Sequence, residues 1–401
     1  MLYKTLAVAI DIGTTTVALY LINAETGEKL VSLGGANVQI LYGADVTSRI
    51  KYCTENGHEK LTEVIREQVS SMIKEACSIA GEKPEHIKYI TIAANTVMQH
   101  LVAGLSPVTM GVAPFKTLSL FGNELPLWEN LPVSEKALIY YTPAISAYVG
   151  GDVTAGLLAA GFENITEPAI FLDIGTNGEM VLKHKGIYYC CATAAGPAFE
   201  GAEIEKGMAA EEGAIDHVWL SNNEIKYSII NSKKPNGICG SGLLDTLAVL
   251  LDIGAIDETG RLNNDKFWLS KEDNAYITAG DIRKLQLAKA AIAAGIQVLL
   301  HFAGIKEDDV KHLVLAGGFG SFMNLNSAAR IGLFPKTLLS AAKALGNTAG
   351  EGAIMAVNSE NVRKRLKNIQ EQCEYIELSS IAFFNDKFVD EMAFETNNKK
   401  A

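Results

Sequence analysis

Five apolar residues at positions 6–10 end at Asp11, and a second apolar run at 169–172 ends at Asp173. Runs this short, closed by glycine and hydroxyl residues, predict buried strands that enter turns. Two further β-rich runs follow each one: 16–22 and 29–33 around Thr26-Gly27-Glu28, then 179–183 and 187–192 around His184-Lys185-Gly186. Each half is therefore expected to open on a three-stranded meander.

The halves also close alike. A strand at 87–93 meets Ala94-Asn95-Thr96 and a helical segment, and a strand at 137–141 leads to the small-residue helix Gly150-Gly151-Asp152-Val153-Thr154-Ala155-Gly156. In the second half a strand at 313–316 runs into Gly317-Gly318-Phe319-Gly320, and Gly350-Glu351-Gly352-Ala353 opens another small-residue helix. Two α/β lobes of one plan follow, over 1–160 and 161–401. The second carries an insertion over about 196–281 that includes Gly237-Ile238-Cys239-Gly240-Ser241-Gly242 ahead of an apolar helix. The helix after 350 is expected to pack back on the first lobe. The longest apolar stretch, 285–305, contains Gln286, Lys289, Gln297 and His301, which predicts a buried amphipathic helix and not a membrane span. No linker or charge run divides the chain, and the polar tail 397–401 is expected to fray.

Composition narrows the partners. The 401 residues include 46 acids and 35 bases, a net charge of −11. That balance argues against nucleic acid and against anionic membrane, since both select basic faces, and leaves small molecules and proteins. Six cysteines, Cys53, Cys77, Cys190, Cys191, Cys239 and Cys373, form no CxxC pair, which fits a reducing cytoplasm. The apolar run at 6–10 is too short for a targeting segment. Adjacent residues of a strand face opposite sides, so Cys190 and Cys191 read as structural, and His100 and His312 lack ligand spacing.

The repeat Asp11-Ile12-Gly13-Thr14 and Asp173-Ile174-Gly175-Thr176 suits phosphate. Glycine lets the main chain approach closely, successive amides supply donors, and threonine hydroxyls add more. An aspartate facing phosphate directly would repel it. Asp11 and Asp173 therefore make sense as holders of Mg²⁺ through its hydration shell, the ion bridging phosphate oxygens. The chain has no GxxxxGK[ST] loop and no GxGxxG turn. Gly317-Gly318 reads either as a tight strand-to-helix turn or as a place where a base or ribose meets the main chain.

Together the two turns, the two small-residue helices and Leu315-Ala316-Gly317-Gly318 resemble the actin, hexokinase and heat-shock-chaperone superfamily of ATPases. The resemblance implies two ribonuclease-H-like lobes and ATP in a cleft between them. It implies phosphate contacts from Gly13, Thr14, Thr15 and Thr16 and from Gly175, Thr176 and Asn177, and an adenosine turn at Gly317, Gly318 and Phe319. Gly240 and Ser241 are further candidate nucleotide contacts, and Gln286 and Lys289, three apart on one helix face, are candidates against the nucleoside. Lys289 reads otherwise as a snorkelling side chain. Asp152 is the candidate that orients the attacking water, its alternative being a carboxylate on the helix dipole. Glu200 reads as a solvated loop acid, with the phosphate side as its alternative.

Five longer segments narrow the match: 42–50, 95–101, 173–180, 194–202 and 237–245. They are similar to the ATPase portion of the reductive activators of corrinoid proteins, which implies ATP-driven reduction of a Co(II) corrinoid to Co(I) and a corrinoid protein as partner. Members usually carry an N-terminal [2Fe–2S] domain; here the ATPase strand begins at residue 6 and no Cys-x₄-Cys-x₂-Cys spacing occurs. No iron–sulfur cluster is expected in this chain. A separate low-potential electron donor, a module recruited to another task, or a domain missing upstream each accounts for this. A homodimer is a candidate assembly. The competing readings are a small-molecule kinase with Asp152 as base, and a nucleotide-switched reactivation factor without electron transfer.

Overall fold

Alternating large and small side chains along the first strand decide what packs on each of its faces. The structure, a computed structural model, describes residues 4–320 and 322–395; the Phe319 side chain and the tail 397–401 lie outside the described residues. The chain divides into two compact units, Met1–Ile165 with Asn347–Tyr375, and Thr166–Gly346 with Ile376–Ala401.

Unit 1 opens with β1 (Leu6–Ile12), β2 (Thr16–Asn23) and β3 (Lys29–Ala36), then α1 (Val46–Asn56), α2 (Glu59–Ala80) and β4 (Ile87–Ala94). It continues through α3 (Thr96–Ala103), β5 (Glu124–Leu125), β6 (Leu138–Tyr141) and α4 (Gly151–Ala159). The sheet order is β3-β2-β1-β4-β6-β5, antiparallel within the opening meander and parallel where β4 joins β1. On one face of β1, Leu6, Val8, Ile10 and Ile12 enter a core with Ile65, Val69 and Ile73 of α2. Burying each such side chain contributes roughly 1.5–3 kcal/mol. The opposite face presents Ala7 and Ala9, which meet Ala93, Ala155 and Ala353. Only small-residue helices approach a sheet this closely.

Unit 2 repeats the wiring. It begins with β7 (Ala169–Ile174), β8 (Gly178–His184) and β9 (Ile187–Thr193). There follow β10 (Ala214–Ser221), β11 (Glu224–Ile229), β12 (Gly237–Ile238), α5 (Gly240–Asp252), β13 (Lys266–Ser270) and β14 (Ala275–Thr278). The last part holds α6 (Ala279–Ala303), β15 (His312–Ala316), α7 (Gly317–Gly320), α8 (Leu325–Ile331) and β16 (Ala342–Gly346). Here β7 pairs antiparallel with β8 and parallel with β15, as β1 does with β2 and β4. The residues between β9 and α6 form a small sheet of order β11-β10-β12 and the hairpin β13-β14. A capping box of Thr278 and Asp281 starts α6, whose Leu285, Ala288, Ile292, Ile296 and Leu299 all join the core. This helix is long and apolar enough to cross a membrane, but 78% of its most apolar window is buried inside the protein, the signature of a core helix.

After β16 the chain adds α9 (Thr348–Ala356) and α10 (Glu360–Glu371) to unit 1 and α11 (Ala382–Asp390) to unit 2. The helices α4 and α9 cross where Gly352 meets Ala155: a Cβ on Gly352 would lie 2.1 Å from the Ala155 carbonyl oxygen. Gly352→Val is therefore expected to cost at least about 2 kcal/mol, because neither backbone can retreat. Urea unfolding measures this, and an unchanged midpoint would show that the crossing is looser than described.

Candidate functional site

The first turn is held from behind by its own carbonyls. Gly13 N–H donates to Thr16 O at 2.9 Å, closing the turn. Asn37 Nδ2 donates to Gly13 O at 2.8 Å, Arg49 Nη2 to Thr14 O at 2.6 Å, and Asn37 N–H to Thr15 O at 2.8 Å. In a planar trans peptide the N–H points opposite to its carbonyl, so the amides of Thr14 and Thr15 face away from this brace. Asn95 Nδ2 fixes the Thr14 hydroxyl at 3.1 Å while its Oδ1 caps α3 through Met98 N–H. The turn at the end of β1 is thus held in one conformation by side chains on its carbonyl side.

Asp11 ends the same strand, half-buried. Asn347 Nδ2 donates to Asp11 Oδ2 at 2.8 Å, and Asn347 Oδ1 accepts from Gly350 N–H at 2.8 Å as the cap of α9. Burial pushes the Asp11 carboxyl up to about 6, with the Asn347 bond opposing the rise. A desolvated carboxylate of this kind is what a cation would stabilise in ionised form. Among the described residues no three of His, Cys, Asp and Glu form a metal cage. The oxygen donors present fit Mg²⁺, which keeps its waters and takes one or two carboxylates plus phosphate oxygens. Asp152 lies in the first turn of α4, half-buried, its Oδ1 accepting from Val153 N–H at 2.8 Å. A Cβ on the cap residue Gly150 would come within 2.4 Å of Asn95 Cα, so glycine there lets α4 start beside the turn's support.

The second turn is built in parallel. Gly175 N–H donates to Asn177 O at 2.9 Å, and β15 brings Ala316 level with Asp173. Gly317 follows with φ +88°, and a Cβ there would meet Asp173 Oδ1 at 2.6 Å, so both conformation and space demand glycine. At Gly318 a Cβ would meet nothing within 4 Å; packing inside the protein does not require glycine at that position. The Thr176 hydroxyl donates to Glu200 Oε2 at 2.8 Å. Glu200 is thus tied to the second turn and is not the solvated loop acid its sequence context suggested.

Other expected contacts are placed differently. Ser241 Oγ donates to Asp216 O at 2.8 Å, and a Cβ on neighbouring Gly242 would lie 2.3 Å from Ile215 O. The Gly240-Ser241-Gly242 run lets α5 begin hard against β10 and acts in packing. Gln286 Nε2 donates to Thr259 O at 3.0 Å and Met392 O at 2.6 Å, and Lys289 Nζ to Ala393 O at 2.9 Å. Burial pulls Lys289 down to about 8. Their shared face holds the C-terminal segment, and these contacts lend no support to the nucleoside role expected of them. Burial also pushes the Cys53 and Cys77 thiols up to about 11.

Asn37, Arg49 and Asn347 had no role assigned from sequence. Arg49 stands inside segment 42–50, and Asn347 precedes a small-residue helix as a cap should, which were their available signals. Asn37 carries no local signal.

Comparison with known proteins decides the family. Residues 6–165 match the RACo middle region, and residues 167–401 match the C-terminal domain of RACo, the ASKHA domain. The chain belongs to the RACo family. Its fold is accordingly that of the actin-like ATPases. It is similar to the corrinoid activation enzyme RamQ of Eubacterium limosum, 33% identical over an alignment of 423 positions that covers 97% of this chain and 70% of the relative. A [Co(II) methylated amine-specific corrinoid protein] reductase of Methanosarcina barkeri is 24% identical, covering 97% and 77%. The solved structure of a reductive activator for corrinoid, iron-sulfur protein superposes with TM-score 0.89 and 36% identity, over 98% of this chain and 67% of that one.

The Asp11 environment sets a pH test for this RACo member. Because burial raises its carboxyl from 3.8 to about 6, Asp11 favours folding below pH 4, and that contribution is lost as pH rises through about 6. Asp11→Asn is expected to raise the Tm of nucleotide-free, metal-free protein at pH 7.5 and leave it unchanged at pH 4. Equal shifts at both values would contradict the assignment.

Proposed function

We propose that this chain is a Mg²⁺-dependent ATPase that activates a corrinoid protein, coupling ATP hydrolysis to one-electron reduction of Co(II) to Co(I). The observation that carries the ATP half is the first turn, where three successive carbonyls are tied back beside a desolvated carboxylate. Similarity to corrinoid activation enzymes and reductases supports the corrinoid half.

In this reading Thr14, Thr15 and Thr16, with Thr176 and Asn177, donate to the phosphates, while Gly13 and Gly175 close the two turns with their own N–H groups and let the main chain approach. Asp11 and Asp173 hold Mg²⁺ through its waters, the ion neutralising charge on the phosphate oxygens. Asp152 orients the water that attacks the γ-phosphorus, and Gly317 and Gly318 let adenosine lie against the main chain. Hydrolysis yields ADP, phosphate and a proton. The cobalt gains one electron, which a separate low-potential iron–sulfur protein loses. The setting is the cytoplasm.

Asp11→Ala is expected to keep the fold and lower the turnover of Mg-ATP by about a hundredfold, the loss typical of removing one group that stabilises charge in the transition state. Normal turnover would remove Asp11 from the site. The cobalt half is read by visible spectroscopy of a Co(II) corrinoid protein mixed with this chain, a low-potential ferredoxin and ATP. Co(I) bands that require ATP are expected. Hydrolysis without Co(I) would replace electron transfer with a nucleotide-switched role, and stoichiometric phosphorylation of a small molecule would replace both with a kinase.

A further inference from the structure

Arg49 is fully buried, the largest side chain with no exposure in unit 1. Its guanidinium donates to Gly43 O at 2.9 Å, Gln39 Oε1 at 3.2 Å, Met98 Sδ at 3.1 Å and Thr14 O at 2.6 Å. All four acceptors are neutral. Asp45, whose charge acts on Arg49, spends its carboxylate on capping α1 through Ser48 N–H at 2.6 Å. Burial draws Arg49 down to about 10, still charged at neutral pH. A buried cation whose hydrogen-bond acceptors are all neutral is costly; Asp45 offsets part of that cost, and further negative charge nearby would offset more.

The shortest of its bonds goes to the phosphate turn. The Thr14 carbonyl and the Thr15 N–H belong to one peptide group and point opposite ways. A charged donor on the carbonyl polarises that group and makes its N–H a stronger donor on the far side. We propose that Arg49 is a positioning residue for the polyphosphate: it orients and polarises the Thr14–Thr15 peptide, and its buried charge is matched by the phosphates across that peptide. This rests on the ATP reading above.

The test measures affinity of the full chain for Mg-ATP and for adenosine by calorimetry, with folding checked by circular dichroism. Binding of Mg-ATP by the unsubstituted chain tests the ATP reading itself; its absence would overturn that reading, and this inference with it. Given that binding, Arg49→Met is expected to weaken Mg-ATP by at least about tenfold and adenosine by less than about twofold, since the lost interaction is electrostatic and confined to phosphate. Arg49→Lys, which keeps the charge and loses the fork, is expected to fall between the two. Gln39→Glu places a counter-ion beside the guanidinium without removing it, and is expected to weaken Mg-ATP by about fivefold through charge alone. Should Arg49→Met fail to fold, Arg49→Lys and Gln39→Glu decide. Variants that bind Mg-ATP as the unsubstituted chain does, or that lose ATP and adenosine equally, would overturn the proposal while leaving the ATP reading intact.

Discussion

Everything proposed for this protein depends on three carbonyl oxygens at the end of β1 being turned inward. Gly13, Thr14 and Thr15 give theirs to Asn37 and Arg49, and the amides between them are thereby turned outward. A turn without those partners would satisfy its carbonyls with water and would have no preferred direction for its donors. The carbonyl partners come from separate places, Asn37 from the segment after β3 and Arg49 from α1, and Asn95, just after β4, adds the bond to the Thr14 hydroxyl. Arg49 and Asn95, from two segments far apart in sequence, thus act as supports of the turn that follows β1.

The second turn repeats the strand wiring of the first with different chemistry. Register places Asp173 beside Ala316 as it places Asp11 beside Ala93, and in both units a second parallel strand ends at the turn. The first turn is backed by amide and guanidinium donors, whereas Thr176 in the second donates to the carboxylate of Glu200. Two carboxylates, Asp173 and Glu200, therefore belong to the second turn's surroundings. The two turns thus share their strand wiring and differ in the charge of the side chains around them.

Much of this was legible in the chain itself. Short apolar runs closed by Asp-Ile-Gly-Thr identify strands and turns because strand burial and close backbone approach each restrict residue type locally. The small-residue helices are visible for the same reason: Gly352 and Ala155 touch, and no larger pair fits. What stayed hidden is set by contacts across sequence distance. Asn347 and Asp11 are 336 positions apart, and no local pattern links them. Gln286 and Lys289 do share a helix face, but periodicity identifies a polar face without naming what covers it, and here the cover is the main chain of Met392 and Ala393. The place of Glu200 is not legible for the same reason, since a loop's composition does not reveal which turn it folds against.

The most direct test of the account is amide hydrogen exchange, with and without Mg²⁺ and a nonhydrolysable ATP analogue. The account predicts that exchange slows at Thr14 and Thr15 and at Thr176 and Asn177 when the nucleotide binds. Nucleotide binding that leaves both turns unchanged, or protects only segments outside them, would contradict it.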